Sequence, residues 1–321
     1  MSLIVYLDQN ILSNLVKVRQ GRGKDTDVTR AFTQLDETVQ RCNRKGCHVF
    51  PESPYHMLEA EFDTRLSDDE WRYVKGTSQG LGFAGCSQII NQQISKALAQ
   101  WLHQKEQEGD WWAGVFNRDP HQPYSPGPYG VFVRFPRSAE SISRERSDRN
   151  RIPTSLGRLT PVTSQRTLTE QTRLEREFLI AHLFIPAPID WSATLDQQTA
   201  QAVDSAKAKS RFDNLRSWGL GVSEINSFLQ SKELTSAPMI DIRARLWAHL
   251  GVSLGNRSPR KSDFDDIGIM AMTLPYCHIV TTDSYMRKVV VEDLKLADSY
   301  RTLVLSAKWK DIERLIEMLA N

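Results

Sequence analysis

Apolar and polar positions follow one rhythm at the two ends of the chain and another through its middle. Residues 3–7 form an unbroken apolar run, Leu-Ile-Val-Tyr-Leu, that stops abruptly at Asp8-Gln9-Asn10. An apolar run without alternation reads as a strand buried on both faces, the signature of a parallel sheet. Helical periodicity follows over 11–18 and again over 31–41. Residues 48–50 form a second short strand candidate, after which Ser53-Pro54 opens a helix through an N-cap and a first-turn proline. That helix carries Met57, Leu58, Glu59, Ala60, Glu61 and Phe62.

The same alternation returns near the end. A helix capped by Ser262 or Asp263 runs to Leu274 and is stopped by Pro275. A strand over 278–282 ends at Asp283, a helix spans 284–291, a strand covers 302–305, and an amphipathic helix over 308–319 closes the chain. Strands alternating with helices imply parallel pairing with right-handed crossovers. The expected fold is therefore α/β, with residues 1–63 and 258–321 forming one core. Residues 64–257 read as a mostly α-helical insertion, with helical patterns over 87–108, 167–183, 195–218, 223–229 and 240–250. Within the insertion, 117–161 is a Pro-, Ser- and Arg-rich loop with one strand-like piece at 130–135. A stretch of that kind in a compact domain is usually functional or disordered.

Composition changes this picture little. The 321 residues are 40% hydrophobic and 25% charged, as in an ordinary globular protein, and the net charge is +2. No apolar run reaches the roughly 18 residues that span a bilayer, so no membrane partner is expected. The N-terminus lacks the pattern of a secretion signal. Cys42, Cys47, Cys86 and Cys277 are scattered rather than arrayed as a disulfide framework, which points to a reducing cytoplasm. Charge distribution says more than the total. Eight arginines and no lysine lie between Arg134 and Arg166, a planar-donor chemistry suited to phosphate, although such a run also suits a solvated loop.

The candidate chemistry sits where strands end. Asp8 and Asp283 each follow an apolar run, and ligands of open parallel sheets bind beyond the carboxyl ends of the strands. Two carboxylates there repel each other unless a cation compensates them. Glu59 and Asp266, each near the start of a helix, can face the same edge. Taken singly, each acid has a plain structural reading as a turn residue, a helix cap or a dipole partner. Their joint arrangement carries the functional reading.

The segments IVYLDQNILSNL, VFPESPYHMLEAEF and DDIGIMAMTLPYCHIVTTDSYM, in that order, resemble the PIN-like nuclease superfamily. The resemblance covers about the first 65 and last 60 residues. It implies a Rossmannoid three-layer α/β/α core and a metal-dependent endoribonuclease of single-stranded RNA, with RNA favoured over DNA. On the family's pattern fall Asp8, Glu59, Asp266 and Asp283, with Ser53 six residues before Glu59. Asp263 is the second choice for the third acid, Asp265 a capping-box partner for Ser262, and Glu61 a weaker rival of Glu59. Hard oxygen donors suit Mg²⁺ or Mn²⁺. On this chemistry Asp8 and Asp283 are expected to coordinate the metal directly, Glu59 directly or through water, and Asp266 to serve a second metal or a bound water. Asn10 and Thr281 or Thr282 are near enough to position water or phosphate.

Other readings carry less. A PIN-like scaffold could serve as an inactive binding module for nucleic acid or protein. A phosphatase of another α/β fold would want a second aspartate where Asp8-Gln9-Asn10 has none. Cys42-x₄-Cys47-His48 lacks a second pair with ligand spacing unless Cys277-His278 supplies it, so zinc is not expected. Residues 80–85 match GxGxxG without a preceding strand. Trp111-Trp112 and Trp101 read as helix packing before base stacking. The insertion could also hold a protein partner or a second copy of the chain.

Overall fold

The computed structural model describes residues 2–22, 26–56, 67–102, 114–117, 167–190, 192, 195–253 and 261–320. The chain divides into two compact units. One comprises Met1–Cys86, Asp110–Thr160 and Pro259–Asn321, and the other Ser87–Gly109 and Pro161–Ser258.

The first unit is α/β. Strand β1 (Val5–Tyr6) leads into helices α1 (Gln9–Arg19) and α2 (Asp27–Lys45). Thr26 caps α2 by accepting the Thr29 amide at 3.2 Å. Gly46 ends it in the left-handed region (φ 61°), a conformation that glycine adopts without a Cβ penalty. Helix α3 (Ser67–Ser78) packs against α1 and α2. It therefore belongs to this unit, although residues 67–78 were expected within the insertion.

Strands β2 (Ile279–Thr282) and β3 (Leu303–Ser306) complete a three-stranded parallel sheet in the order β1-β2-β3. Single parallel bridges extend it beyond β1: Ile4 pairs with Val49, and Glu52 pairs with Gly82. Numbered along the chain, the order across the extended sheet is third, second, first, fourth, fifth. The chain thus steps outward from β1 in one direction and later returns to β1's other side. This is the doubly wound arrangement, with its switch point between β1 and β2.

Alternate strand residues bury opposite faces. Val5, Leu7, Ile279 and Leu305 join α1, α2 and the last helix around Leu15, Phe32, Leu35, Leu315 and Leu319. Ile4, Tyr6, Val280 and Val304 face the other way and are also buried. Tyr6 stacks on His56 at 4.8 Å between ring centroids and meets Phe83 edge-on.

The expected helix over 284–291 is instead α11 (Ser284–Lys288) followed by a π-turn, Val289–Asp293, and a short helix, α12 (Leu296–Tyr300); helices α4–α10 are placed below. Helix α13 (Trp309–Ala320) packs on α2. Its apolar positions Ile312, Leu315 and Leu319 recur at helical spacing and are buried.

The second unit is helical in its described residues. Its elements are α4 (Cys86–Trp101, from Ser87 on), α5 (Leu168–Phe184), α6 (Leu195–Ser217), α7 (Val222–Leu229), α8 (Lys232–Thr235) and α9 (Pro238–Ser253). Thr167 and Glu170 form a capping box at the start of α5. Arg176 of α5 pairs with Asp241 of α9 at 2.6 Å, and Trp101 packs obliquely on Phe228. The Arg-rich loop, the strand-like piece at 130–135 and Trp111-Trp112 lie outside the described residues. Among the described residues, no helix is long and apolar enough to cross a membrane.

Candidate functional site

The switch point is built by two strand ends of the same design. Asp8 directly follows the β1 run and caps α1, with Oδ2 accepting the Asn10 amide at 3.4 Å. Its own amide donates to Thr281 Oγ1 at 2.7 Å, and that hydroxyl donates to the Tyr6 carbonyl at 3.2 Å. Thr281 thereby ties the end of β1 to β2. Asp283 follows β2 and caps α11, with Oδ1 accepting the Met286 amide at 2.6 Å. Tyr6 lies opposite Val280 in the register, which places both aspartates at the carboxyl edge of neighbouring strands. The capping interpretation is therefore true of both residues. In each, one carboxylate oxygen accepts the cap amide, and the Gln9 amide also acts on Asp8.

Helix α10 (Lys261–Thr273) brings the third acid. Asp266 stands on its second turn, and Asp263, which is buried, on its first. Burial pushes the Asp266 carboxyl up to about 8, with further upward pressure from Asp8, Asp283, Asp263 and Asp265 in that order. Asp8 is raised to about 6, mainly by burial; the Asn10 and Gln9 amides oppose the rise and Asp283 adds to it. Three aspartates far apart in the sequence thus feel one another's charge at one edge of the sheet. Among the described residues, no cationic side chain pairs with Asp8, Asp266 or Asp283, and Asp266 makes no hydrogen bond at all. Buried like charges in this arrangement are held apart from neutrality only at a cost in free energy.

Glu59 and Glu61 lie outside the described residues. Ser262 lies within α10 rather than before it, so the helix is not capped there and Asp265 has no capping-box role with it.

Several positions escaped the sequence reading. Glu70, on the first turn of α3, is 1% exposed and accepts hydrogen bonds from Gln9 Nε2 and Ser13 Oγ of α1. It fixes the residue next to Asp8. In the sequence it is the third of three acids at a helix start, a pattern that ordinarily signals the dipole alone. His56 is a second case. Its Nε2 donates to the Leu7 carbonyl at 2.7 Å, and its Nδ1 accepts the Ser53 amide at 3.2 Å. Ser53 Oγ in turn accepts the His56 amide and pairs with the Tyr6 hydroxyl at 3.0 Å. Burial lowers His56 to about 4, so it is neutral near pH 7 and fixed in one tautomer. Gly268 is a third. A Cβ there would sit 2.0 Å from Tyr55 Oη, so only glycine permits this approach two residues beyond Asp266.

Away from this edge, Cys42, Cys47 and His48 bring one ligand atom each to within 4.8 Å of one another. Among the described residues this is the one group of three possible ligands that close; the aspartates are set more loosely. Cys42 is pushed up to about 11 by burial and by Cys47. Residues 80–85 make no phosphate loop: helix α3 precedes them, and Gly82 lies in the sheet beside Glu52.

Comparison of the chain with protein-family models, curated proteins and solved structures finds no match.

Proposed function

We propose that this chain is a metal-dependent phosphodiesterase with a PIN-like core, acting as an endoribonuclease on single-stranded RNA. The observation that carries the reading is the set of three unpaired aspartates, Asp8, Asp266 and Asp283, converging at the switch point of a doubly wound sheet. Their electrostatics and hard oxygen donors fit Mg²⁺ or Mn²⁺. Bound there, such an ion would supply an acidified water and charge relief at the scissile phosphate.

The chain's own residues do the rest. Asp8 and Asp283 would be the direct ligands, their carboxylates positioned by the helix caps. Asp266 would serve a second ion or a bound water, with Asp263 beside it on the preceding turn. Glu59 would take direct or water-mediated coordination. Thr281 fixes the distance between the two strand ends, and Gln9 is held from behind by Glu70. The arginines between 134 and 166 are the phosphate track for the nucleic acid. Cytoplasmic action fits the free thiols of the described cysteines.

The test is cleavage of end-labelled single-stranded RNA with Mn²⁺. Asp8→Asn and Asp283→Asn are expected to lose more than about 100-fold in rate, and EDTA to abolish cleavage. Equal cleavage by wild type and Asp8→Asn, or cleavage undiminished by EDTA, contradicts the proposal. Metal binding without cleavage would leave an inactive binding module. Phosphomonoester hydrolysis alone would point to a phosphatase.

A further inference from the structure

At the opposite, amino edge of the sheet, two thiols and an imidazole converge for a reason visible in the backbone. Helix α2 ends in a Schellman turn: the Gly46 amide bonds the Asn43 carbonyl at 3.3 Å, and the Cys47 amide bonds the Cys42 carbonyl at 3.2 Å. With Gly46 in the left-handed region the chain doubles back, so Cys47 lies over Cys42 and His48 follows beside them. All three ligand atoms come within 4.8 Å of one another.

We infer that Cys42, Cys47 and His48 form a site for a borderline-soft divalent ion of the zinc class, distinct from the acidic edge. Thiolate sulfur and imidazole nitrogen are the donors such an ion selects over the oxygen-seeking Mg²⁺. Zinc–sulfur bonds of about 2.3 Å in a tetrahedron put the two sulfurs roughly 3.8 Å apart, so the side chains need to close by no more than about 1 Å. Charge balances: two thiols release two protons to solvent, and two thiolates with a neutral imidazole neutralise the dication. Those thiol protons now rest on carbonyls, Cys42 Sγ on Leu319 O at 3.3 Å and Cys47 Sγ on Cys42 O at 3.6 Å.

The imidazole is in a tautomer that suits the task. The Leu319 carbonyl also lies against the His48 ring, and His48 Nδ1 accepts the Leu3 amide at 3.1 Å. The ring proton therefore belongs on Nε2, and Nδ1 carries the lone pair. A ligating histidine whose other N–H is held by a backbone carbonyl is the usual outer arrangement of a zinc site. Besides the two weak thiol–carbonyl bonds, the ion would displace the Leu3 amide, which belongs to a half-buried residue before β1 begins. Cys47 is half-buried, so the site is within reach of solvent. Binding would lock the end of α2 to the end of α13 and to the start of the sheet.

Cobalt(II) titrated into the full chain reads this site directly, because thiolate ligation gives a near-ultraviolet charge-transfer band that carboxylates do not. One equivalent should produce the band, zinc should displace it, and two protons should be released per ion. Cys47→Ser should weaken cobalt(II) and zinc binding by at least about 10- to 100-fold while circular dichroism stays unchanged. Cys86→Ser and Asp8→Asn should keep the band. A second measurement needs no variant: zinc should protect Cys47, and not Cys86, from alkylation read by mass spectrometry. No band with the wild-type chain, a band that survives in Cys47→Ser, or alkylation of Cys47 unaffected by zinc overturns the inference.

Discussion

The two edges of one small sheet treat their polar groups in opposite ways. At the amino edge several buried or half-buried polar side chains answer backbone groups. His48 and His278 accept the Leu3 and Ile4 amides through Nδ1, and Thr302 Oγ1 donates to the Leu274 carbonyl at 2.6 Å. At the carboxyl edge, Asp8, Asp266 and Asp283 press on one another instead, and Asp266 has no partner among the described residues. Buried polar groups that are satisfied add stability, whereas buried like charges subtract it. The difference teaches where selection for stability has yielded to something else.

Removing acids should therefore stabilise, and this is the largest effect expected. Asp8 and Asp266 have pKa values raised above their unfolded value of 3.8, so the folded state holds extra protons between these limits. Their favourable contribution is complete below about pH 4 and is lost as the pH rises through about 6 and then about 8. Asp266→Asn should stabilise the metal-free chain by on the order of 2–4 kcal/mol at pH 8 and by almost nothing at pH 4, measured by urea unfolding. A loss of stability at pH 8 would break the contrast between the edges.

Substitutions in the neutral networks should do the reverse at any metal concentration. His56→Leu removes a buried donor to Leu7 and a buried acceptor for Ser53, and should cost about 2–3 kcal/mol. If instead it proves neutral, the Leu7–Asp8 peptide does not depend on that clamp. Gly268→Ala should cost about 1–2 kcal/mol through the clash with Tyr55, and Tyr55→Ala in the same chain should remove that cost. Persistence of the cost in the double variant would place the strain elsewhere.

Much of this edge is legible in the sequence because it is local. An apolar run ending in aspartate specifies a strand end, and the runs at 3–7 and 278–282 correspond to β1 and β2 with small shifts at their ends. The helix over 31–41 is longer in both directions, since Thr26 and Gly46 cap it from outside the apolar stripe. What remained hidden depends on contacts between distant segments. Helix α3 has a weak apolar stripe, and only its packing on α1 reveals that Glu70 faces Gln9. The third parallel segment passes through Leu81, Gly82 and Phe83, where glycine masks strand character. The closeness of Cys42, Cys47 and His48 rests on a left-handed glycine that spacing alone does not announce.

Thermal unfolding at pH 8 with and without Mn²⁺, for wild type and Asp8→Asn side by side, tests the carboxyl edge most directly. Saturation at about 100 times the dissociation constant adds roughly 2.7 kcal/mol, which should lift the wild-type Tm by about 5 °C or more. Asp8→Asn should begin higher and hardly respond. An equal rise in both chains, or none in the wild type, would show that these aspartates do not hold a divalent ion.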